Sequence, residues 1–509
     1  MIGVRPFQGH ARALPRVDVS RQIRTPLLDA VVDYWQSGVV RFHMPGHRGG
    51  PGADPRITQV MGRDVFGMDV TGVLGLDDLH QPRGVIQEAE ELAAEAFGAD
   101  HSFFLVNGTS AGVQAMILSA CDPGDRLIVA RNVHKSIIGG LILSGVVPVY
   151  VTPEVDTEWG IALGVTPEEV GRALERYPDV RGVLLVSPTY HGVTSDLEAI
   201  AAMVHERGKV LLVDEAHGPH FRFHEAFPAP ALEAGADACA HGIHKMLSGF
   251  TQASMLHVKG DRIDLGRVQA VLRLLQSTSA SYLLMSSLDA ARMQMATGGH
   301  ELLDRALSLS RLLRQRVEGI EGVAAFEPAP GAAGAAGFDP TKVAVLVKHL
   351  GLTGHQVERL LRELGPVQPE MPDLFYVLFI VSYANDEDDV QRLAEVLAEI
   401  AAHADEHSTP ETRALLRAAQ PLAADVVRQP VVELPPREAF FGRHRAVGLE
   451  QATGRIAAEV VTCYPPGIPL LCPGERITPE VVDFLKLVRS AGASVSGPKD
   501  PRLETLEVL

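Results

Sequence analysis

Two residues in this chain have the type and spacing for covalent amine chemistry. Asp214 closes the apolar run Val210-Leu211-Leu212-Val213, and Lys245 follows a second apolar stretch, directly after His244. Consecutive buried-type residues read as a central parallel strand, and such a strand delivers ligand-binding groups at its carboxyl end. A carboxylate there can keep a heteroaromatic nitrogen protonated, and a lysine amine can form a Schiff base with an aldehyde. Together they are the two groups that a pyridoxal phosphate site requires. A charge at the end of an apolar run needs a partner, so a structural salt bridge is the other use for Asp214.

Further groups fit the same chemistry. Asn107-Gly108-Thr109-Ser110-Ala111-Gly112 falls between a predicted strand and helix. Backbone N–H groups, the Thr109 and Ser110 hydroxyls and the positive end of the helix dipole would there face one point, which suits a phosphate. The same residues also make an ordinary N-cap, and they form neither a P-loop nor a GxGxxG fingerprint. His134 follows the next predicted strand, where its ring either lies flat against a pyridine or serves as a cap. Lys135 beside it is a rival for the Schiff base. Lys245 is preferred because it lies downstream of the Asp214 strand, with Ala216 small enough to admit a flat ring and His244 placed for phosphate or substrate.

Two other readings of these histidines and acids are weaker. Asp214-Glu215-Ala216-His217 spells a helicase box, but that reading needs a GxxxxGK[ST] loop, and the sequence has none. His43/His47, His217/His220 and His241/His244 invite a metal. Zinc would need further ligands at helical or knuckle spacing, and HExxH is absent, with His300-Glu301 lacking its second His, so no metal is expected.

The elements that must carry these residues alternate. From about Pro82 to Gly260 the pattern predicts helix 84–97, strand 102–106, helix 110–120, strand 126–130, helix 134–144, strand 147–151, helix 166–176, strand 182–186, helix 195–207 and strands 210–214, 237–240 and 253–258. That alternation implies an α/β fold with a mainly parallel sheet covered on both faces. Ahead of it, residues 1–80 read as an arm, with Thr25-Pro26 starting a helix that stops at Gly38 and a Gly/Pro-rich loop from His43 to Gly75. The large domain spans 81–325 and includes a long helical stretch from Arg262 to Val317. A smaller α/β domain spans 326–405, with strand 343–348, helix 354–364, strand 375–381 and helix 386–402. A Pro-rich C-terminal domain spans 406–509 and holds Tyr464-Pro465-Pro466 and Cys472-Pro473-Gly474-Glu475.

With 509 residues, 46% hydrophobic and 21% charged, the chain has room for several cores. A formal charge of -17 argues against a nucleic-acid surface. Cys121, Cys239, Cys463 and Cys472 show no CxxC or ribbon spacing and read as reduced, buried thiols. Met1–Ser20 has no apolar core of signal-peptide type, and no window reaches the length of a membrane span. A cytoplasmic protein without membrane partners is expected.

His43-Met44-Pro45-Gly46-His47, Gly75-Leu76-Asp77-Asp78-Leu79, Val106-Asn107-Gly108-Thr109-Ser110, Arg131-Asn132-Val133-His134-Lys135-Ser136, Asp214-Glu215-Ala216-His217-Gly218 and His244-Lys245 occur in the order found in the ornithine/lysine/arginine decarboxylases. The chain resembles that family from about residue 23 to Glu475, and most closely its short bacterial arginine decarboxylase branch. The extra N-terminal wing domain of the long acid-inducible members is not expected. The resemblance implies a seven-stranded pyridoxal phosphate fold type I sheet with an N-terminal arm and smaller C-terminal α/β domains. It implies Lys245 on the cofactor aldehyde, Asp214 on the ring nitrogen and His134 stacked on the ring. Ala216 and His217 would line the other side, and Thr109, Ser110 and His244 would hold the phosphate. Gln276-Ser277-Thr278-Ser279-Ala280-Ser281-Tyr282 resembles the segment that reaches the phosphate from a neighbouring subunit, so Thr278 and Ser279 join the cofactor set. The site would then be shared within a homodimer or higher homo-oligomer. Gly242 stands where the family often has Ser, and Ala280 where Pro is common.

The implied reaction is decarboxylation of a basic L-amino acid, first arginine to agmatine in polyamine biosynthesis, with lysine or ornithine as alternatives. Asp77, Asp78 and Glu475 are acids that could reach a cationic side chain. A fold type I aminotransferase or lyase shares the Lys, the Asp and the sheet, and a catalytically silent scaffold is the remaining class.

Overall fold

The computed structural model describes residues 12, 14, 17–422, 429–463, 467–490 and 495–509. Most of Met1–Ser20, Tyr464-Pro465-Pro466 and the side chain of Cys463 lie outside the described residues. The chain forms two compact units, one of Ala11–Ala120 with Val210–His300, the other mainly of Cys121–Lys209 with Glu301–Leu509. In chain order, the strands that concern the site are β1 (His101–Leu105), β2 (Arg126–Ala130), β3 (Val147–Val151), β4 (Gly182–Val186), β5 (Val210–Asp214), β6 (Ala238–His241) and β7 (Ser254–Val258). The helices are α1 (Pro26–Gln36), α2 (Val85–Phe97), α3 (Gly108–Ala120), α4 (Lys135–Ser144), α5 (Leu265–Leu275) and α6 (Tyr282–Glu318).

In the first unit the strand order is β1-β7-β6-β5. β5 runs parallel to β6, with Asp214 opposite Ala240. All five residues of β5 are buried, as a strand covered on both faces must be. β7 is antiparallel to both β6 and β1. The alternation of elements cannot show this reversal. Only a single helical turn, Ile243–Met246, and a loop separate β6 from β7, with no crossover helix of the kind that usually joins parallel neighbours. In the second unit β4, β2 and β3 lie side by side and parallel. The two units thus supply the expected seven strands, mainly parallel. The second unit also holds the antiparallel sheet of Lys342–Leu346 and Tyr376–Ile380. Near its C-terminus, Leu471, Ile477, Leu485 and Leu506 close a separate apolar core.

Three local features depart from the sequence pattern. The arm loop contains two short helices, Pro55–Met61 and Arg63–Met68. The helical stretch after Arg262 breaks at Gln276–Ser281, between α5 and α6. And Thr25 stands at the N-cap of α1 without capping it through its side chain, which bonds Asp29 instead. The α1 N–H groups of Leu27 and Leu28 go to Asp289 Oδ2 at 3.0 and 3.3 Å, and Asp289 is in turn paired with the fully buried Arg292. A buried acid from distant sequence therefore anchors the arm helix.

β1 ends the sheet of its unit, and its outer backbone groups are met by side chains. Glu90 of α2, itself buried, accepts the Phe104 N–H at 2.8 Å. Burial pushes its carboxyl from 4.5 up to about 8, against the pull of that N–H. An acid whose pKa is raised by folding stabilises the fold below its unfolded value and loses that contribution as pH rises through the folded one. Stability is therefore expected to fall between pH 4.5 and about 8. Glu90→Gln, which keeps the acceptor, should flatten that slope and be more stable than wild type at pH 8, as urea melts across the range would show.

Candidate active site

Strand β5 exits at Asp214, and the chain turns at once through Glu215-Ala216-His217. Asp214 is 4% exposed, and its Oδ1 accepts the Ala216 N–H at 3.2 Å. Burial pushes the carboxyl upward, and the charge of Lys245 together with the Ala216 N–H pulls it back. The carboxylate depends on a cation to remain ionised in this place. Lys245 supplies one. It sits on the turn that follows β6, and its Nζ lies 3.0 Å from His217 Nε2.

Gly242 makes that turn possible. A Cβ at Gly242 would stand 2.8 Å from the Ala216 carbonyl oxygen and 3.0 Å from Lys245 Cδ. The hydroxyl-bearing side chain expected from the resemblance has no room here, and the lysine stem packs in its stead. Gly242→Ala is therefore expected to displace Lys245 from His217 and change the rate at which an amine-modifying reagent labels Lys245, read by peptide mapping, while the folded protein persists.

His244 bonds the other way. Its Nδ1 lies 2.9 Å from the Ala253 carbonyl, which can only accept, so Nδ1 carries a proton. Burial pushes its pKa down, and nearby Lys245 adds to that. In the neutral ring Nε2 is an acceptor, so His244 donates to a phosphate only as the cation.

The chain enters α3 at Gly108, where φ is +75°, the left-handed region that glycine enters freely. The helix starts earlier than expected, so Thr109 and Ser110 lie in its first turn. Thr109 is buried with Oγ1 2.9 Å from Ser254 Oγ, and Ser110 is exposed. First-turn N–H groups and the helix dipole make this end receptive to an anion. Thr278 and Ser279 are exposed in the break between α5 and α6. That segment is tied to the same chain's strand exit, since the Ser277 N–H reaches Asn107 Oδ1 at 3.3 Å.

Asp214, Ala216, His217, His244, Lys245, Thr109 and Ser110, with Thr278 and Ser279, all belong to the first unit. His134 belongs to the second. It is the N-cap of α4, with Nδ1 accepting the Ser136 N–H at 3.2 Å. Lys135, the rival amine, is exposed and donates to Ser496.

Two of the three acids suggested for a cationic side chain are otherwise engaged. Asp77, at φ +67°, accepts the N–H groups of Arg83, Gly84 and Ile86 and so caps α2. Glu475 is 3% exposed and pairs with Arg131 while accepting the Cys472 N–H. Asp78 remains exposed. The histidine pairs also separate. His43 meets Tyr34, His47 meets Asp69, and His241 meets Glu215 at 2.8 Å. Glu215, Cys239 and His241 lie close enough for a metal, as do His224, Glu225 and His300. In the first group both Glu215 oxygens take hydrogen bonds, from Ala231 N–H and His241, and in the second His224 Nδ1 accepts the Ala226 N–H.

Residues 25–389 match the Orn/Lys/Arg decarboxylase major domain, and residues 423–499 match that family's C-terminal domain. The chain belongs to the Orn/Lys/Arg decarboxylase family. It is similar to the arginine decarboxylase of Bacillus subtilis, with 41% identity over 96% of this chain and 98% of that protein. The arginine decarboxylase of Halalkalibacterium halodurans is likewise 41% identical, over 96% of this chain and 99% of its own. Among solved structures, lysine decarboxylase A from Pseudomonas aeruginosa has a TM-score of 0.84 at 26% identity, covering 96% of this chain and 81% of that one. The family makes this protein an amino-acid decarboxylase of the expected fold class. Among the described residues, no helix is long and apolar enough to cross a membrane.

Proposed function

We propose that this decarboxylase converts arginine to agmatine, using pyridoxal 5'-phosphate held on Lys245. The observation that carries the reading is one buried carboxylate, Asp214, beside one lysine whose Nζ is 3.0 Å from His217, within a single unit. The relatives named as arginine decarboxylases support arginine ahead of lysine or ornithine. Family membership weighs against an aminotransferase, a lyase of other type or a silent scaffold.

The residues present fit the cofactor. A lysine is available for the aldehyde, a buried acid for the ring nitrogen, and a helix start with Thr109 and Ser110 for the phosphate. His134 would stack on the ring, Ala216 and His217 would line it, and His244, Thr278 and Ser279 would complete the phosphate contacts. When bound, the cofactor supplies an electron sink for the bond to the departing carboxylate. Asp214 would hold the proton on the ring nitrogen, and its burial would strengthen that pairing by excluding water. On leaving the aldehyde, Lys245 Nζ would take up the proton that the incoming substrate ammonium gives up, with His217 Nε2 3.0 Å away. The protonated pair would then supply that proton to the α-carbon in place of carbon dioxide.

The arm supports a homodimer with shared sites. Val39, Val40, Phe42, Met44, Val60 and Leu74 of the arm are bare in the single chain, Phe42 being 90% and Leu74 100% exposed. Patches of this kind mark association surfaces. A cytoplasmic location and a part in polyamine biosynthesis accord with this reaction.

Purified protein given pyridoxal phosphate should release carbon dioxide from arginine and form agmatine, more slowly from lysine and ornithine. Silence with all three would end the proposal. Lys245→Ala should abolish turnover, and Asp214→Asn should lower it on the order of 10²–10³-fold, the usual loss when a preorganised charge is removed. Phe42→Lys should shift the protein from dimer to monomer in light scattering.

A further inference from the structure

The exit of β1 into α3 is held by two glutamine side chains, Gln252 and Gln276, to which the sequence assigned no role of their own. Gln276, at the end of α5, accepts the Val106 N–H at 2.8 Å and donates to the Phe104 carbonyl at 3.2 Å. From the other side, Gln252 Nε2 donates to the Val106 carbonyl. Both backbone groups of Val106 therefore end on glutamine amides, and Asn107-Gly108-Thr109 follows immediately.

Gln252 does this from a φ of +85°, a region that residues with a Cβ rarely adopt. Such strain persists where surrounding structure over-determines it, and it gathers at sites of function. The next residue explains what else is held. The Ala253 carbonyl accepts the backbone N–H of His244 at 3.2 Å and the His244 Nδ1–H at 2.9 Å. His244 adjoins Lys245. One strained residue thus stands between the lysine turn and the start of α3, with its side chain on one and its neighbour's carbonyl on the other.

We propose that Gln252 is a positioning residue that sets the separation between Lys245 and the anion-receptive start of α3. The inference rests on the cofactor reading above. Pyridoxal phosphate carries its aldehyde and, through a short methylene ester link, its phosphate on neighbouring carbons of one ring, so the two anchors must stand within a narrow range of separation for both to engage. Each anchor alone is indifferent to that distance. The signature of the role is a loss seen with the doubly anchored ligand and not with a singly anchored one.

Gln252→Gly removes the amide and also removes the strain, because glycine adopts positive φ freely. Gln252→Glu keeps the length, loses the donor and sets an oxygen against the Val106 carbonyl. For the apoprotein of each variant and of wild type, the dissociation constants of pyridoxal phosphate and of pyridoxal, which lacks the phosphate, would be read by absorbance. The urea midpoint of each apoprotein would be measured alongside. Both variants should bind pyridoxal phosphate about tenfold or more weakly and pyridoxal as wild type does, and Gln252→Gly should be no less stable than wild type. The proposal is overturned if Gln252→Gly binds pyridoxal phosphate with wild-type affinity. It is overturned equally if both ligands weaken together with the urea midpoint, the mark of a merely structural residue. Failure of wild type itself to bind pyridoxal phosphate would instead refute the cofactor reading, and this inference with it.

Discussion

A carboxylate at the end of a fully covered strand is the constraint on which the site depends. Asp214 has almost no water to stabilise its charge, and one backbone N–H is a modest substitute. The Lys245 cation does the rest, and a bound cofactor that takes up the lysine must put another positive group in its place. The acid and the amine are in this way alternatives for each other's neutralisation. That explains why the turn after β6 is shaped so tightly. Gly242 lets the lysine stem pass under the Ala216 carbonyl, and the single helical turn that follows returns the chain antiparallel into β7.

Much of this was legible in the sequence because it follows from local pattern. The apolar run ending in Asp214, the strand-to-helix passage at Asn107–Ser110 and the alternation of elements each depend on residues close together in the chain. What escaped depends on residues far apart. Nothing near Thr25 shows that Asp289 caps α1, since the hydrogen bond spans 262 positions. Nothing in Asp77 or Glu475 reveals that a helix start and a buried arginine already occupy them. An acid in a Gly/Pro-rich loop reads as available for a ligand, and only the fold shows what it already holds. The break at Gln276–Ser281 was hidden for another reason: the apolar spacing on both sides is helical, and the signal for interruption is a short run of hydroxyl residues.

The two glutamines illustrate the same limit. Neither carries charge, metal affinity or nucleophilicity, so neither attracts notice in a search for chemistry. Their value is geometric. An amide side chain offers one donor and one acceptor at nearly the spacing of a peptide group. Placed beside β1, Gln276 imitates a neighbouring strand across Phe104 and Val106.

That imitation has a bearing on how copies of this chain can associate. A strand at the margin of a sheet ordinarily presents a row of bare amides and carbonyls to which any extended segment can add. Here the groups of Phe104 and Val106 on that margin are filled by Glu90 and Gln276. Strand addition at Phe104 and Val106 is closed, both as a route to orderly assembly and as a route to aggregation.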